Sequence, residues 1–347
     1  MAGFSVQQAK RIVADLFEPR PAAYWVDFLL SIAVGYAAGL VYLIWPLFSW
    51  PGCLGFVIAG FALYRAGVFM HEIVHLPRQR MRSFRIAWNL LYGIPMLMPS
   101  FMYSSHLDHH NWRHFGTGRD GEYLPLGARP LTHTVLYLAE VPLLPALAVI
   151  RFLLLTPLSL LVPGLRRPVL ERFSSFVINP AYRRPLPAHE KRDHWVMMEL
   201  GCFAVLVGLA GLTIGGVVPW QTLVQLYCLG AFSAGINWVR TLAAHRYRND
   251  GAEMTYVDQL TDSVNIVGQP FITELWFPIG LKYHALHHLF PSLPYHALGE
   301  AHRRLMAELP ADSPYRLTVS PSFWRVLVEL VHAAQAHGRA SPMKSTV

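Results

Sequence analysis

Charged side chains are scarce in this sequence. Only 14% of its 347 residues are charged, whereas soluble domains average about 25%. Residues 28–64 and 200–239 contain no Asp, Glu, Lys, Arg or His over 37 and 40 positions, and one membrane-crossing helix needs about 20 apolar residues. This composition excludes an ordinary soluble domain and predicts an integral membrane protein.

Cysteines and nucleotide-binding motifs are equally sparse. The three cysteines, Cys53, Cys202 and Cys228, lie in apolar segments and form no Cys-x-x-Cys pair. This pattern excludes a disulfide framework and a cysteine-based zinc site. The sequence also has no Gly-rich phosphate loop and no Gly-x-Gly-x-x-Gly fingerprint, which excludes the common nucleotide-binding folds.

Each charge-free stretch has turn residues near its middle. The first contains Trp50-Pro51-Gly52, and the second contains Gly215-Gly216 followed by a proline. Each stretch is therefore predicted to form a hairpin of two membrane helices, which gives an all-α fold with four spans. The predicted spans are residues 25–47, 53–70, 196–216 and 220–241.

The basic residues predict the orientation in the membrane. The two hairpin turns contain no Lys or Arg, and nearly all of the 29 basic residues lie in the segments outside the hairpins, so the positive-inside rule places both termini and the large loops in the cytoplasm. The net charge of +8 fits a face against anionic lipid better than nucleic acid, because the basic residues are scattered. In a bacterium the location would be the cytoplasmic membrane.

These features predict one membrane domain with a helical cap. We expect an interfacial segment at 1–23, the domain at 24–335 and a flexible tail at 336–347. The cytoplasmic cap would comprise residues 71–195 and 242–335. Residues 131–165 are apolar but include Glu140 and Arg151. Because a charge at the bilayer centre costs roughly 2.5–3.5 kcal/mol on insertion scales, this segment is predicted to be a surface helix or shallow hairpin.

Nine of the seventeen histidines stand out: eight form three clusters with helical spacing, and His245 is isolated between the second and third. Residues three and four apart share one face of a helix, so each cluster can direct its imidazoles toward one point. Imidazole is a ligand for zinc, copper, iron and nickel, and nine imidazoles are too many for one ion. The pattern predicts two metal ions with four or five ligands each, and the remaining eight histidines are predicted to be surface residues. The nine are His71, His75, His106, His109, His110, His245, His284, His287 and His288.

Two alternative functions would require fewer of the nine clustered histidines. His71-Glu72-x-x-His75 matches the zinc metalloprotease motif, in which Glu72 would be the general base of an intramembrane protease. Such a site needs one further ligand and would leave six or seven clustered histidines unused. A non-catalytic scaffold with vestigial clusters is disfavoured because all nine histidines are intact.

The sequence resembles the membrane fatty acid desaturase and hydroxylase superfamily, the histidine-box di-iron enzymes. The resemblance covers roughly residues 25–300. The resemblance rests on three histidine motifs, together with the isolated His245 and the acidic segment Asp120-Gly-Glu-Tyr-Leu-Pro125. They are His71-Glu-Ile-Val-His75, His106-Leu-Asp-His109-His110 and His284-Ala-Leu-His287-His288-Leu-Phe-Pro-Ser-Leu-Pro-Tyr295.

The resemblance implies that the nine histidines bind two iron ions, with O2 as co-substrate and no catalytic residue beyond the metal centre. It implies oxidation of a fatty acyl chain drawn from the bilayer, and it favours desaturation. Acyl hydroxylation and oxidative decarboxylation to a terminal alkene are the alternatives on the same scaffold. No His-Pro-Gly-Gly haem motif or flavin domain is evident, so we expect a separate electron donor such as a ferredoxin-like protein.

The sequence departs from the animal acyl-CoA desaturases at two places. Their first histidine motif has four intervening residues where this one has three, and they carry Asn where this chain has Thr241, four residues before His245. Four residues are expected to support the ligands through hydrogen bonds. They are Glu72, Asn237, Thr241 and Asn265.

Overall fold

The computed structural model describes residues 5–76, 80–187 and 192–340. Regular structure in these ranges is almost entirely helical, with two short parallel strands that pair Asn265 with Val319. The helices are α1 Val6–Ile12, α2 Pro21–Ile44, α3 Trp50–His75, α4 Arg82–Trp88, α5 His106–His109, α6 Leu131–Ala139, α7 Leu144–Val149, α8 Thr156–Leu161, α9 Pro163–Arg172, α10 Asp193–Ile214, α11 Trp220–Thr241, α12 Tyr256–Asp262, α13 Pro270–Trp276, α14 His284–Leu289, α15 Tyr295–Glu308 and α16 Phe323–Ala340, and the strands are β1 Asn265–Ile266 and β2 Val319–Ser320.

Single turns of 3-10 or π helix occur between these elements. The 3-10 segments are Ala14–Leu16, Ser100–Tyr103, Leu126–Ala128, Val141–Leu143 and Pro314–Thr318, and the π segments are Asn89–Gly93 and Ile150–Leu155.

Four of the helices correspond to the four predicted spans. Helices α2, α3, α10 and α11 are each long and apolar enough to cross a membrane. The largest difference is at the end of α3, which continues to His75, whereas the predicted span ended at residue 70. The polar residues after 70 remain helical because they are buried against other protein elements rather than lipid. As a result, α3 carries His71 and His75 directly into the site.

The first hairpin is packed through small residues. A Cβ on Gly55 would lie 2.8 Å from the carbonyl oxygen of Ala38 on α2, so this contact requires glycine. Asp27 and Arg65 flank the charge-free stretch in sequence, and they pair across the two helices at 2.6 Å. The pairing neutralises the two charges that border the apolar part of the hairpin.

Large apolar side chains are exposed on these four helices and at their turns. Phe48 and Trp50 are exposed in the first turn, and Ile214 and Trp220 flank the second. Exposed apolar helix faces fit contact with lipid, and tryptophan is enriched at membrane interfaces. The protein is accordingly an integral membrane protein.

A fifth segment, Leu131–Leu161, also has the length and apolarity of a span. The charge argument against its insertion does not apply to Arg151, which is buried and paired with Glu199 of α10. The two halves of this segment nevertheless contact neighbouring parts of the helix bundle. In the first half, Glu140 accepts a hydrogen bond from Trp238, near the C-terminal end of α11. In the second half, Arg151 pairs with Glu199 in the second turn of α10. These contacts favour a segment that enters and turns back, and the four-crossing topology stays a prediction.

The remaining helices cover the histidine end of the bundle. Helix α1 packs against α15, where Ala9 and Val13 share one apolar cluster with Ala301 and Leu305. Helix α16 continues to Ala340, so the first five residues of the predicted flexible tail are helical. Residues 341–347 of that tail lie outside the described residues.

Candidate metal centre

Five histidines from three parts of the chain converge at the end of α3. Their ligand atoms all lie within 4.8 Å of one another. Two come from the last turns of α3, two from α5 and the residue that follows it, and one from α14. The Nε2 atom of His287 lies 3.2 Å from that of His75 and 3.0 Å from that of His110. This first group consists of His71, His75, His106, His110 and His287.

The other four histidines form a second group with the same 4.8 Å limit. His245 lies just beyond α11, where it forms a β-bridge with Ser263. Its Nε2 atom is 2.9 Å from that of His284 and 3.2 Å from that of His109. The structure thus brings together all nine clustered histidines, in groups of five and four. The second group consists of His109, His245, His284 and His288.

The donor geometry of both groups fits metal ions. Contacts between Nε2 atoms measure 2.9–3.2 Å, and ligands about 2.1 Å from one ion lie about 3.0–3.4 Å apart. Several buried ring nitrogens have no hydrogen-bond partner among the described residues, including both nitrogens of His71. Buried polar atoms are normally paired, so an unpaired nitrogen of His71, within 4.8 Å of the other ligand atoms of its group, fits a bound cation.

Asp120 holds one imidazole in a fixed orientation. Nδ1 of His109 donates to Asp120 at 2.8 Å, and the backbone N–H groups of Gly116 and Glu122 donate to the same carboxylate. Asp120 is completely buried. With its proton on Nδ1, His109 directs the lone pair of Nε2 toward the other histidines, as a metal ligand requires.

Two further imidazoles are oriented in the same way. Nδ1 of His106 lies 2.9 Å from the Glu122 carboxylate. The Ser263 hydroxyl donates to the Gln259 carbonyl and therefore accepts from Nδ1 of His245, at 3.2 Å. These three partners were missed at the sequence level. The acidic segment 120–125 could have indicated Asp120 and Glu122 from the sequence, whereas no sequence pattern indicated Ser263.

The environment keeps most of these histidines neutral. Burial, followed by the neighbouring imidazoles, lowers the pKa of each clustered histidine outside α3 except His109. At His109, burial opposes the charged form, but Asp120, with smaller contributions from Glu122 and Asp262, raises the pKa. The neutral form is the one that binds metal, and the Asp120 carboxylate favours a cation at His109, whether a proton or a metal ion.

Three of the four residues expected to support the ligands form their hydrogen bonds with other groups. Glu72 accepts hydrogen bonds from Tyr24 and from the backbone of Tyr295. Asn237 accepts from Arg240, and the Thr241 hydroxyl donates back to the Asn237 carbonyl. Both bonds lie within α11, and neither reaches His245.

Asn265 does support the site, but through the backbone. Its side-chain oxygen accepts from the N–H of Leu286, between two of the clustered histidines on α14, and its amide donates to Thr318. Asn265 therefore fixes the position of the helix that carries the third histidine motif.

The unclustered histidines include one that is not at the surface. His302 is buried and its Nδ1 is 2.7 Å from the Tyr315 hydroxyl, because α15 packs its apolar face against the cap. His114 is half-buried, 3.3 Å from Asp108. His189 lies outside the described residues.

Replacing Asp120 with asparagine is expected to weaken metal binding and activity about 10- to 100-fold, the usual effect of losing a partner behind a ligating histidine. Asparagine keeps the shape but removes the charge that favours a cation at His109. The measurement is metal per chain after dialysis against a graded chelator. Asp108→Asn is the matched control, because Asp108 accepts from Tyr182 instead. Equal metal retention in both variants would refute the role of Asp120.

Comparison with known proteins agrees with this architecture. The family model described as fatty acid desaturase matches residues 48–319. The chain is 37% identical over 344 residues to a ceramide hydroxylase of Caulobacter vibrioides (strain NA1000 / CB15N), covering 97% of this chain and 96% of that protein. No solved structure matches the chain. The family match spans all nine clustered histidines, and this chain belongs to the fatty acid desaturase family.

Proposed function

We propose that this protein hydroxylates the acyl chain of a ceramide-like lipid, using O2 and two irons held by the nine histidines. Family membership makes it a lipid oxidoreductase of the membrane. The observation that carries hydroxylation is the similarity to a ceramide hydroxylase over nearly the whole of both chains. This proposal ranks hydroxylation above the desaturation that the sequence motifs favoured.

The residues of the site fit this chemistry. Irons bound in the two histidine groups would supply the activation of O2 that removal of hydrogen from an unactivated CH2 requires. The protein's part is to hold neutral imidazoles in one orientation through Asp120, Glu122 and Ser263. Six of the nine histidines are buried, which keeps bulk water away from reactive species.

The reaction needs reducing equivalents. Hydroxylation converts C–H and O2, with two electrons and two protons, into C–OH and water. We propose that a separate donor protein supplies these electrons from the cytoplasmic side, where the positive-inside rule places the histidine end of the bundle. A basic chain of net charge +8 would attract an acidic electron carrier.

Desaturation is the second candidate, because the matching family model is described as fatty acid desaturase. It consumes the same O2, electrons and protons but removes two hydrogens and releases two waters. Nothing in the geometry favours decarboxylation. The zinc protease alternative is disfavoured because His71 and His75 share their group with three further histidines rather than one.

The test is product analysis under 18O2. Membranes containing the protein, with an added reductase and ferredoxin, are supplied with a ceramide whose acyl chain is fully deuterated. Hydroxylation predicts a product that has gained one 18O atom and lost one deuterium. A product that has lost two deuteriums without gaining oxygen would establish desaturation instead, and an unchanged lipid would refute both for this substrate.

A further inference from the structure

A cavity of about 110 Å³ opens beside the first histidine group. It lies where the chain entering α2, the end of α3 and the loop before α15 meet. Apolar side chains form much of its wall, together with one carboxylic acid and one of the clustered histidines. Its lining includes Phe17, Tyr24, Glu72, His75, Leu293 and Pro294.

Glu72 has one oxygen that is available to a ligand. Its Oε2 accepts from the Tyr24 hydroxyl at 2.6 Å and from the Tyr295 N–H at 3.1 Å, so the side chain is fixed. Its Oε1 has no hydrogen-bond partner among the described residues and lies 4.0 Å from Nδ1 of His71. Only 5% of the residue is exposed. A carboxyl oxygen that no protein group binds, on a residue that lines a cavity, is suited to bind a polar group.

We propose that this cavity binds the polar head of the lipid substrate, with a head-group hydroxyl hydrogen-bonded to Oε1 of Glu72. This inference rests on the proposed function and specifies its substrate. A volume of about 110 Å³ holds several groups the size of water, since one needs roughly 10–15 Å³, but it is too small for an acyl chain. A hydroxyl can donate to a carboxylate and accept from a carboxylic acid, so it matches either form of Glu72.

The charge of the wall selects among lipid heads. A phosphate or carboxylate placed against Glu72 would bring two acidic groups together in a buried site, which is unfavourable. Arg80 also lines the cavity, but its charge is paired with Glu18 at 3.2 Å. The site therefore favours a neutral head bearing hydroxyl and amide groups, as in an N-acylated amino alcohol, over a phospholipid or a free fatty acid.

The position of Glu72 also bears on which carbon is oxidised. Because Glu72 precedes His75 by one helical turn and Oε1 lies 4.0 Å from His71, a head held there places the first acyl carbons beside the histidines. Carbons in the middle of the chain would lie beyond them. Oxidation is therefore expected close to the amide.

The experiment measures binding, separately from turnover. Full-length iron-loaded protein in nanodiscs is titrated with a tritiated N-acyl sphingoid base and with the tritiated free fatty acid of equal chain length. Wild type is compared with Glu72→Ala, Glu72→Gln and the control Glu140→Ala. Glu140 bonds to Trp238 and does not line the cavity. Iron per chain is measured on every sample.

Glu72→Ala is expected to weaken binding of the N-acyl lipid about tenfold or more, as expected for loss of a buried hydrogen bond, without changing binding of the free acid or the iron content. Glu72→Gln should restore most of the binding, because it keeps an oxygen for Tyr24 and gives the hydroxyl an amide partner. Glu140→Ala should bind like wild type.

Equal binding by wild type and Glu72→Ala, or equal weakening for both lipids, would overturn the inference. The proposed function can fail independently. A protein that binds the N-acyl lipid through Glu72 but inserts no oxygen contradicts only the hydroxylase proposal, whereas hydroxylation with unchanged binding by Glu72→Ala contradicts only the head-group site.

Discussion

Alanine at His109 or His287 is expected to abolish lipid oxidation and to remove iron from the protein. His287 has two Nε2 neighbours within 3.2 Å in the first group, and His109 connects the second group to Asp120. Losing either imidazole removes a ligand itself, so the effect should exceed the about 10- to 100-fold typical of partners behind ligands. Elemental mass spectrometry on iron-supplemented protein should give about two irons per wild-type chain and fewer in each variant.

The control is His332→Ala, since His332 is an exposed residue outside both groups. It should retain wild-type iron and activity. Persistent oxidation of lipid after both His109 and His287 are changed would exclude the two-iron centre. If the wild-type protein contains one zinc and no iron after iron supplementation, the result would instead support a zinc protease that uses the His71-Glu72-x-x-His75 motif.

The main features of the fold were predictable because they depend on local chemistry. Charge-free stretches and Pro/Gly turns located the four helices α2, α3, α10 and α11, and the ends of α11 agree with the predicted span. The role of Arg151 was not predictable, because its partner Glu199 is 48 residues away. Sequence shows that a charge is present in an apolar segment but not that the fold supplies its counter-ion.

In the site, too, the features that depend on local sequence were predictable and the contacts between distant segments were not. Helical spacing placed each set of imidazoles on one face, and all nine clustered histidines do converge. The residues that orient them were mostly missed. Asp120 and Ser263 act through loops folded back on the histidines, while Asn237 and Thr241 bond along their own helix. Spacing along a helix does not reveal such contacts between segments.

Replacing Glu199 with alanine is expected to destabilise the protein by about 3–5 kcal/mol, the usual cost of breaking a buried ion pair. Glu199 is fully buried and pairs with Arg151 and, at 2.6 Å, with Arg166. Arg151 is only 3% exposed, so its charge cannot reach water when the carboxylate is lost. The apparent Tm in detergent should fall on the order of 10 °C.

Two comparisons separate burial from pairing as the cause. Glu300 also pairs with two arginines, Arg303 and Arg304, but at the protein surface, so Glu300→Ala should melt close to wild type. Changing Arg151 and Glu199 together to methionine should recover much of the lost Tm, because well-packed apolar residues can replace a buried ion pair. A double variant no more stable than Glu199→Ala would show that the ion pair itself is required for the packing of Leu131–Leu161 against α10.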